Sequence, residues 1–257
     1  MTFAEQMVGF KTIVIKEILR FSRIWVQTII PPVITMSLYF VIFGNLIGSQ
    51  IGDMDGVRYM DYIVPGLIMM AVITNSYANV VSSFYGCKFH HHIEEMLVSP
   101  LPNYLIILGF IVGGIARGMA VGLAVSVVSL LFSPIHIHNP VVIVTTVILT
   151  SALFSLAGLI NGVYARSFDD ISIIPTFVLT PLTYLGGVFY TISMLPEFWQ
   201  SASRLNPVLY MVNAFRYGFL GISDISISLS YLIITGFVLA LYGYALYLLT
   251  IGHGIRR

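Results

Sequence analysis

The sequence predicts an all-α integral membrane protein with six transmembrane helices, an N-terminal amphipathic interfacial helix and outer re-entrant helices before the last span. Composition is the first observation, because hydrophobic residues make up 58% of the 257 residues and charged residues only 9%, whereas a soluble domain carries about 25% charge. Secondly, long stretches without Lys, Arg, Asp or Glu fill most of the chain. Thirdly, these stretches lack the period-two alternation of a membrane barrel, so helices are predicted.

The charge-free stretches set the positions of the spans, since about 20 apolar helical residues cross a bilayer core. Spans are predicted at about 25–48, 59–83, 103–132, 140–165, 171–191 and 226–250. The fifth contains Pro175 and Pro181, followed by Gly186 and Gly187, so we expect it to be kinked or broken. Together the spans form one transmembrane domain, 1–257.

Residues 1–23 form a separate segment before the first span. Apolar residues recur at spacings of three and four from Phe3 to Trp25, and Lys16, Arg20 and Arg23 recur on another face. An amphipathic helix with a basic stripe suits the headgroup layer of a membrane. A plain cytoplasmic extension of the first span is the alternative.

The distribution of Lys and Arg predicts the orientation. With the N-terminus in the cytoplasm, three of these residues lie on the outer side, Arg58, Arg204 and Arg216. Eight lie on the inner side: Lys11, Lys16, Arg20, Arg23, Lys88, Arg166, Arg256 and Arg257. The positive-inside rule therefore predicts that both termini are cytoplasmic.

The inner loop 84–101 is a candidate docking element. Ile93, Met96 and Leu97 recur at helical spacing, and Ser99-Pro100 ends the turn before the next span. A short amphipathic helix on the cytoplasmic side can insert into a groove of a partner; a plain surface connection is the alternative. The candidate docking residues are His92, Ile93, Glu94, Glu95, Met96 and Leu97.

The outer segment 192–223 has too many polar residues for a span and too many apolar ones for a solvated loop. We expect two short, partly inserted helices at about 195–203 and 208–220. Its charged residues, Glu197, Arg204 and Arg216, are candidates for a gate or a substrate exit, with interfacial anchoring as the alternative.

Arg117 is the one formal charge well inside a predicted span. It lies about 21 Å from the cytoplasmic end of that helix, so it should face protein or water rather than lipid. Asn75, Asn79 and Asn161 are candidate partners. Arg117 either is satisfied structurally by such neighbours, or lines a pathway or binds an anionic headgroup.

The sequence predicts neither a catalytic site nor a resident cofactor on this chain. None of the three lysines follows a glycine, so the phosphate-binding pattern GxxxxGK[ST] is absent from the sequence and any ATP hydrolysis must occur on another polypeptide. Cys87 and His90–His92 suggest a metal, but structural zinc needs four ligands, so no metal site is predicted. The remaining alternatives are an autonomous intramembrane lipid-handling enzyme and an ion-coupled carrier.

The order of these parts resembles the ABC type-2 permease family, the membrane subunits of ATP-binding-cassette exporters. The resemblance covers essentially the whole chain. The strings that carry it are Ile93-Glu-Glu-Met-Leu-Val-Ser-Pro-Leu101, Phe168-Asp-Asp-Ile-Ser172, Leu179-Thr-Pro-Leu-Thr-Tyr-Leu-Gly-Gly-Val-Phe-Tyr190, Leu205-Asn-Pro207 and Arg216-Tyr-Gly218.

The resemblance implies that residues 86–99 are a coupling helix that docks on a separate ATPase. It implies two permease copies, expected to form a homodimer, and two ATPase subunits that carry ATP and Mg²⁺. It also implies a bacterial inner membrane and export, with the path between the permeases and no nucleic-acid partner. The substrate does not follow from it, and the triple His departs from the family's pattern.

Overall fold

The computed structural model describes residues 2–54, 56–134, 136–252 and 254. Within them the chain is helical apart from loops and one antiparallel hairpin, β1 (Asp53–Met54) and β2 (Val57–Arg58). The all-α prediction is confirmed. Arg256 and Arg257, which contribute to the predicted inner charge, lie outside the described residues.

The helices follow one another with short connections. In chain order they are α1 (Phe3–Arg23), α2 (Trp25–Tyr39), α3 (Gly48–Ile51), α4 (Tyr59–Phe89), α5 (His92–Val98), α6 (Asn103–Ser129), α7 (Pro140–Tyr164), α8 (Asp170–Ile174), α9 (Thr180–Tyr184), α10 (Glu197–Arg204), α11 (Pro207–Leu220) and α12 (Ile227–Ile251). π-Helical stretches, Phe40–Ile47 and Pro175–Leu179, join α2 to α3 and α8 to α9, and a 3-10 turn spans Ile192–Met194.

Five helices in the described part are long and apolar enough to cross a membrane: α2 with its continuation to Gly44, α4, α6, α7 and α12. The fifth predicted span, 171–191, is shorter than expected. It consists of three five-residue pieces, α8, a π-helical stretch and α9, which together measure about 22 Å. Prolines begin the second piece and enter the third, and the helix ends before Gly187, whose φ is +71°. The expectation was a kinked or broken span; the structure shows a helix that contains a π-helical stretch and ends at Tyr184, before the predicted limit of 191.

α4 is the central helix of the bundle and is buried along most of its length. It packs against α6, α7 and α11, and glycines on α6 permit the close approach. A Cβ at Gly114 would lie 2.0 Å from Ser155 Oγ, and one at Gly118 would lie 2.1 Å from Ser76 Oγ. Small residues four apart are typical of tight helix pairs in membranes.

α1 is the predicted N-terminal helix, and it begins with a capping box between Thr2 and Glu5. It separates from α2 at Ile24 and packs on α6. Its buried residues are Ile13, Glu17 and Phe21. The face that packs on the bundle therefore differs from the predicted apolar stripe. Phe21 alone is buried among the residues of that stripe, which are Phe3, Met7, Phe10, Val14, Ile18, Phe21 and Trp25.

The two short helices predicted in 192–223 are confirmed as α10 and α11. Asn206 starts α11, since its Oδ1 accepts from Val208 N at 3.0 Å, and its Nδ2 donates to Leu182 O at 2.6 Å. α11 is buried against α7, α12 and α4. α1 and α5 lie at one end of the bundle, called here the α5 end. The hairpin and α10 lie at the other, the hairpin end.

Candidate functional site

The α5 end begins with an unusual turn. His91 adopts φ +63°, a conformation that favours glycine, and so reverses the chain between α4 and α5. Its Nδ1 lies 3.0 Å from Glu94 Oε1. Ser99 ends α5, and its Oγ donates to Met96 O at 2.6 Å. α5 is therefore a helix with defined ends.

The outward side of α5 carries polar residues and the apolar Val98, so it differs from the predicted docking face. Ile93 is 1% exposed and packs in the bundle's own core, while Met96 and Leu97 are half-buried against that core. The prediction that Ile93 faces a partner is wrong, because its side chain is buried in the chain's own core. This burial fixes α5 to the bundle. Among the candidates, the exposed ones are His92, Glu94 and Glu95.

A cleft of about 390 Å³ separates α1 from α5. Ile13 and Met96 form part of its apolar wall, and Lys16 and Glu95 line it with opposite charges. The predicted interfacial helix and the predicted docking loop thus form one surface. The lining residues are Thr12, Ile13, Lys16, His92, Glu95, Met96, Ser99 and Leu101.

Two lysines connect the helix ends around this surface. Lys16 Nζ lies 3.1 Å from Cys87 Sγ and so joins α1 to α4. Lys88 Nζ donates to Val163 O at 2.5 Å and to Ala165 O at 2.8 Å. Lys88 therefore caps the C-terminal end of α7, where a positive charge is favoured.

Two exposed aromatic residues lie near this surface, one at the end of α4 and one in the loop before α8. Phe89 and Phe168 are 54% and 53% exposed, and their ring centroids lie 5.2 Å apart. Tyr85 supports Phe168 at 4.9 Å. Sequence reasoning did not select Phe89 or Phe168 as site residues, because isolated aromatics in polar loops carry no periodic signal.

The turn before α8 is held by Asp170. Its Oδ2 accepts from the backbone N–H of Arg166 at 2.8 Å and of Ser167 at 3.1 Å. Ser167 Oγ in turn accepts from Asp170 N at 3.2 Å. The hydrogen bond from the Arg166 backbone is the largest cause that holds the pKa of Asp170 below its ordinary value.

The basic stripe of α1 is divided between the bundle and the surface. Arg20 Nη2 donates to Asn79 O at 2.7 Å and to Asn79 Oδ1 at 2.8 Å. Arg23 is exposed. Arg20 is therefore held against α4, which supplies it with acceptors, and its side chain remains 29% exposed.

Glu17 is a buried residue that the sequence analysis missed. Its side chain is fully buried, its Oε1 accepts from Ser83 Oγ at 2.6 Å, and its Oε2 lies 3.5 Å from Arg20 Nε. The one signal in the sequence was its spacing of four residues from Ile13. The space for Glu17 comes from Gly113 on α6, because a Cβ added there would lie 2.5 Å from Glu17 Cβ.

Arg117 contacts one of its three candidate partners. Its Nη2 donates to Asn75 Oδ1 at 3.1 Å. Asn161 instead donates to Tyr77 OH at 2.7 Å, and Asn79 accepts from Arg20. Asn75 and Asn79 lie one turn apart on α4, so Arg117 and Arg20 bind neighbouring side chains.

The three charged candidates at the hairpin end do not form one site. Glu197 and Arg204 are exposed on α10. Arg216 is 1% exposed within α11, where its Nη2 donates to Gly187 O at 2.6 Å and its Cζ lies 3.8 Å from the centroid of the Tyr62 ring.

The described residues contain no group of three or more His, Cys, Asp or Glu that could hold a metal ion. Cys87 contacts Lys16, and His91 contacts Glu94. The α5 end exposes charged side chains beside apolar ones.

Long apolar helices packed through glycines around one buried helix define a multi-pass helical membrane protein. The chain belongs to the ABC-2 type transporter family, whose model matches residues 8–220. It is thus a membrane transport protein, and that part of the sequence prediction is confirmed.

Individual relatives agree with this assignment. The inner membrane transport permease YadH of Escherichia coli (strain K12) is 59% identical to this chain over 249 residues, 97% of each chain. The permease of the same name from Shigella flexneri matches to the same extent. Nodulation protein J of Rhizobium leguminosarum bv. viciae is 21% identical over 185 residues, which is 72% of this chain and 71% of that protein.

Proposed function

We propose that this chain is the permease subunit of an ATP-driven exporter in a bacterial inner membrane. It forms the translocation path and docks through its α5 end on a separate ATPase subunit. The observation that carries the proposal is the joint surface of α1 and α5, in which an anchored short helix presents acidic side chains beside a partly apolar cleft.

The anchoring of α5 suits it to transmit force. Because Ile93 lies in the same core as Phe84 of α4 and Ile106 of α6, a push on the exposed face of α5 moves those helices with it. Glu94, Glu95 and Val98 remain exposed for a partner, Val98 to 87%. A partner surface that combines basic and apolar groups fits these side chains.

Membership of the family supports the rest of the proposed assembly. ATP and Mg²⁺ belong to the partner, since this sequence lacks the GxxxxGK[ST] pattern. Two identical permease copies and two ATPase subunits complete the exporter, with both permease termini in the cytoplasm. ATP binding closes the ATPase pair and shifts the permeases from an inward-open toward an outward-open arrangement.

The test is co-purification of a Walker A-bearing partner on the tagged full chain, with ATP hydrolysis as the readout. Glu95→Arg should lose the partner, because it reverses a charge at the cleft. Glu197→Arg makes the same change on an exposed residue at the hairpin end and should keep the partner. Val98→Asp and Leu205→Asp form a second pair, since both residues are more than four-fifths exposed, 87% and 84%.

Two outcomes would contradict the proposal. Retention of the partner and of stimulated hydrolysis in both α5 variants would remove docking from this surface. Transport or lipid turnover by the purified chain without any ATPase would favour a carrier or an intramembrane enzyme instead.

A further inference from the structure

A polar cluster lies where α1, α4 and α6 meet, outside the docking surface. It contains the guanidinium groups of Arg20 and Arg117 and one carboxylate, that of Glu17. Glu17 is already engaged by Ser83 Oγ at 2.6 Å. The cluster therefore carries a net charge of about +1 within a bundle whose surroundings disfavour isolated charges.

Three buried donors in this cluster, Arg20 Nε, Arg117 Nε and Asn79 Nδ2, have no hydrogen-bond partner among the described residues, and neither has the buried acceptor Glu17 Oε2. Arg20 Nε and Glu17 Oε2 face each other at 3.5 Å, which leaves two donors. No described residue accepts a hydrogen bond from Arg117 Nε or from Asn79 Nδ2. Asn79 is fully buried, and its Nδ2 lies 3.6 Å from the position of a Cβ on Gly113, one turn before Arg117 on α6. Asn75, which contacts Arg117, lies one turn before Asn79 on α4, so both donors face the same α4–α6 seam.

Unpaired buried donors destabilise a protein, because they lose their hydrogen bonds to water and gain none in return. The Oδ1 atoms of Asn75 and Asn79 already accept from Arg117 and Arg20, and the remaining acceptor, Glu17 Oε2, faces Arg20 Nε rather than Arg117 Nε or Asn79 Nδ2. What the cluster lacks is an anion that offers several acceptor atoms at once.

We propose that Arg20, Arg117 and Asn79 bind one phosphate group, either that of a lipid headgroup or free inorganic phosphate. Guanidinium groups pair with phosphate oxygens through paired hydrogen bonds, and the ligand's negative charge offsets the net charge of the cluster. The cluster has an open edge at Arg20, whose side chain is 29% exposed. This site does not depend on ATPase docking.

The test is a titration of the purified full chain with dioctanoyl phosphatidic acid, with dioctanoylglycerol as the uncharged match and inorganic phosphate as competitor. Native mass spectrometry counts the ligands bound. We expect one phosphatidic acid per chain, bound about tenfold more tightly than the diacylglycerol. Displacement by millimolar inorganic phosphate assigns the site to the free anion, and retention assigns it to the headgroup.

Variants place the site on these residues. Arg117→Gln and Arg20→Gln should each weaken binding about tenfold. Arg23→Gln removes the same charge from an exposed residue of α1 and should change it by no more than about twofold. Equal affinity for both lipids, or unchanged binding by Arg117→Gln, would overturn the proposal.

Asn79→Asp keeps the test valid if the arginine variants fold poorly. It replaces the unpaired Nδ2 donor beside Arg20 with a carboxylate oxygen and so supplies an acceptor within the chain. We expect a folded protein with a raised thermal midpoint that no longer binds phosphatidic acid. A stabilised Asn79→Asp chain that binds phosphatidic acid like the wild type would show that the cluster is purely structural.

Discussion

The guanidinium of Arg216 lies over the ring of Tyr62, with Cζ 3.8 Å from the ring centroid. The electron-rich face of the ring attracts the cation, and Arg216 Nη2 also donates to Gly187 O at 2.6 Å. One buried side chain thus joins α11, the start of α4 and the segment that follows α9. Arg216 therefore organises the hairpin end from within rather than lining its surface.

Replacing Arg216 with Met should lower the free energy of unfolding by about 2–4 kcal/mol, because the Gly187 carbonyl loses its donor and the buried ring loses its cation. Unfolding in mixed micelles of increasing denaturing-detergent content measures the change. Arg204→Met removes an exposed Arg at the same end and should change it by less than about 0.5 kcal/mol. Equal losses in the two variants would contradict a special role for Arg216.

Apolar runs located most of the long helices to within a few residues. α4 is the exception, since it was predicted to end at 83 and continues to Phe89. Its last turns carry polar groups that the bundle satisfies, Ser83 through Glu17 and Cys87 through Lys16. Such partners come from residues far apart in sequence, so hydropathy could not predict the extension.

The helix of the candidate site was predicted from its spacing, but the direction of its apolar face was not. The spacing of Ile93, Met96 and Leu97 correctly indicated an apolar face, yet that face packs into the chain's own core. Sequence periodicity identifies an apolar face of a short helix. It does not show whether that face packs on the chain's own core or on a partner. Glu17 was missed for a related reason, because the space that admits it is provided by Gly113 on another helix.

Replacing Lys88 with Met should lower the free energy of unfolding by about 1–2 kcal/mol, because the carbonyls of Val163 and Ala165 lose a charged donor. Amide hydrogen exchange at the end of α7 should accelerate in the same variant. Lys11→Met removes an exposed lysine of α1 and should leave both measurements unchanged. Unchanged exchange near Ala165 in the Lys88 variant would contradict the capping role.

Replacing Gly158 with Ala should destabilise the bundle by about 2 kcal/mol or more, because the added Cβ would lie 2.6 Å from Tyr77 O and 3.2 Å from Val81 N. Both atoms belong to the backbone of α4 and cannot rotate away. Gly236→Ala is the control, since a Cβ there meets nothing within 4 Å, and it should be neutral or stabilise by up to about 1 kcal/mol. Thermal unfolding of the two variants in detergent makes the comparison, and similar midpoints would contradict the close α4–α7 contact.

The turn before α8 should weaken in acid. The pKa of Asp170 is lowered from an ordinary value of 3.8, first by the backbone hydrogen bond from Arg166. The folded pKa is thus below the unfolded one, so the stabilisation is fully present above about pH 4 and is lost as the pH falls through the folded value. Asp170→Asn should therefore have a lower thermal midpoint than the wild type at neutral pH. The two midpoints should converge in acid. Asp169→Asn, at the neighbouring residue, tests whether any carboxylate in this turn has that effect, and a pH-independent difference for Asp170→Asn would contradict its role as the acceptor.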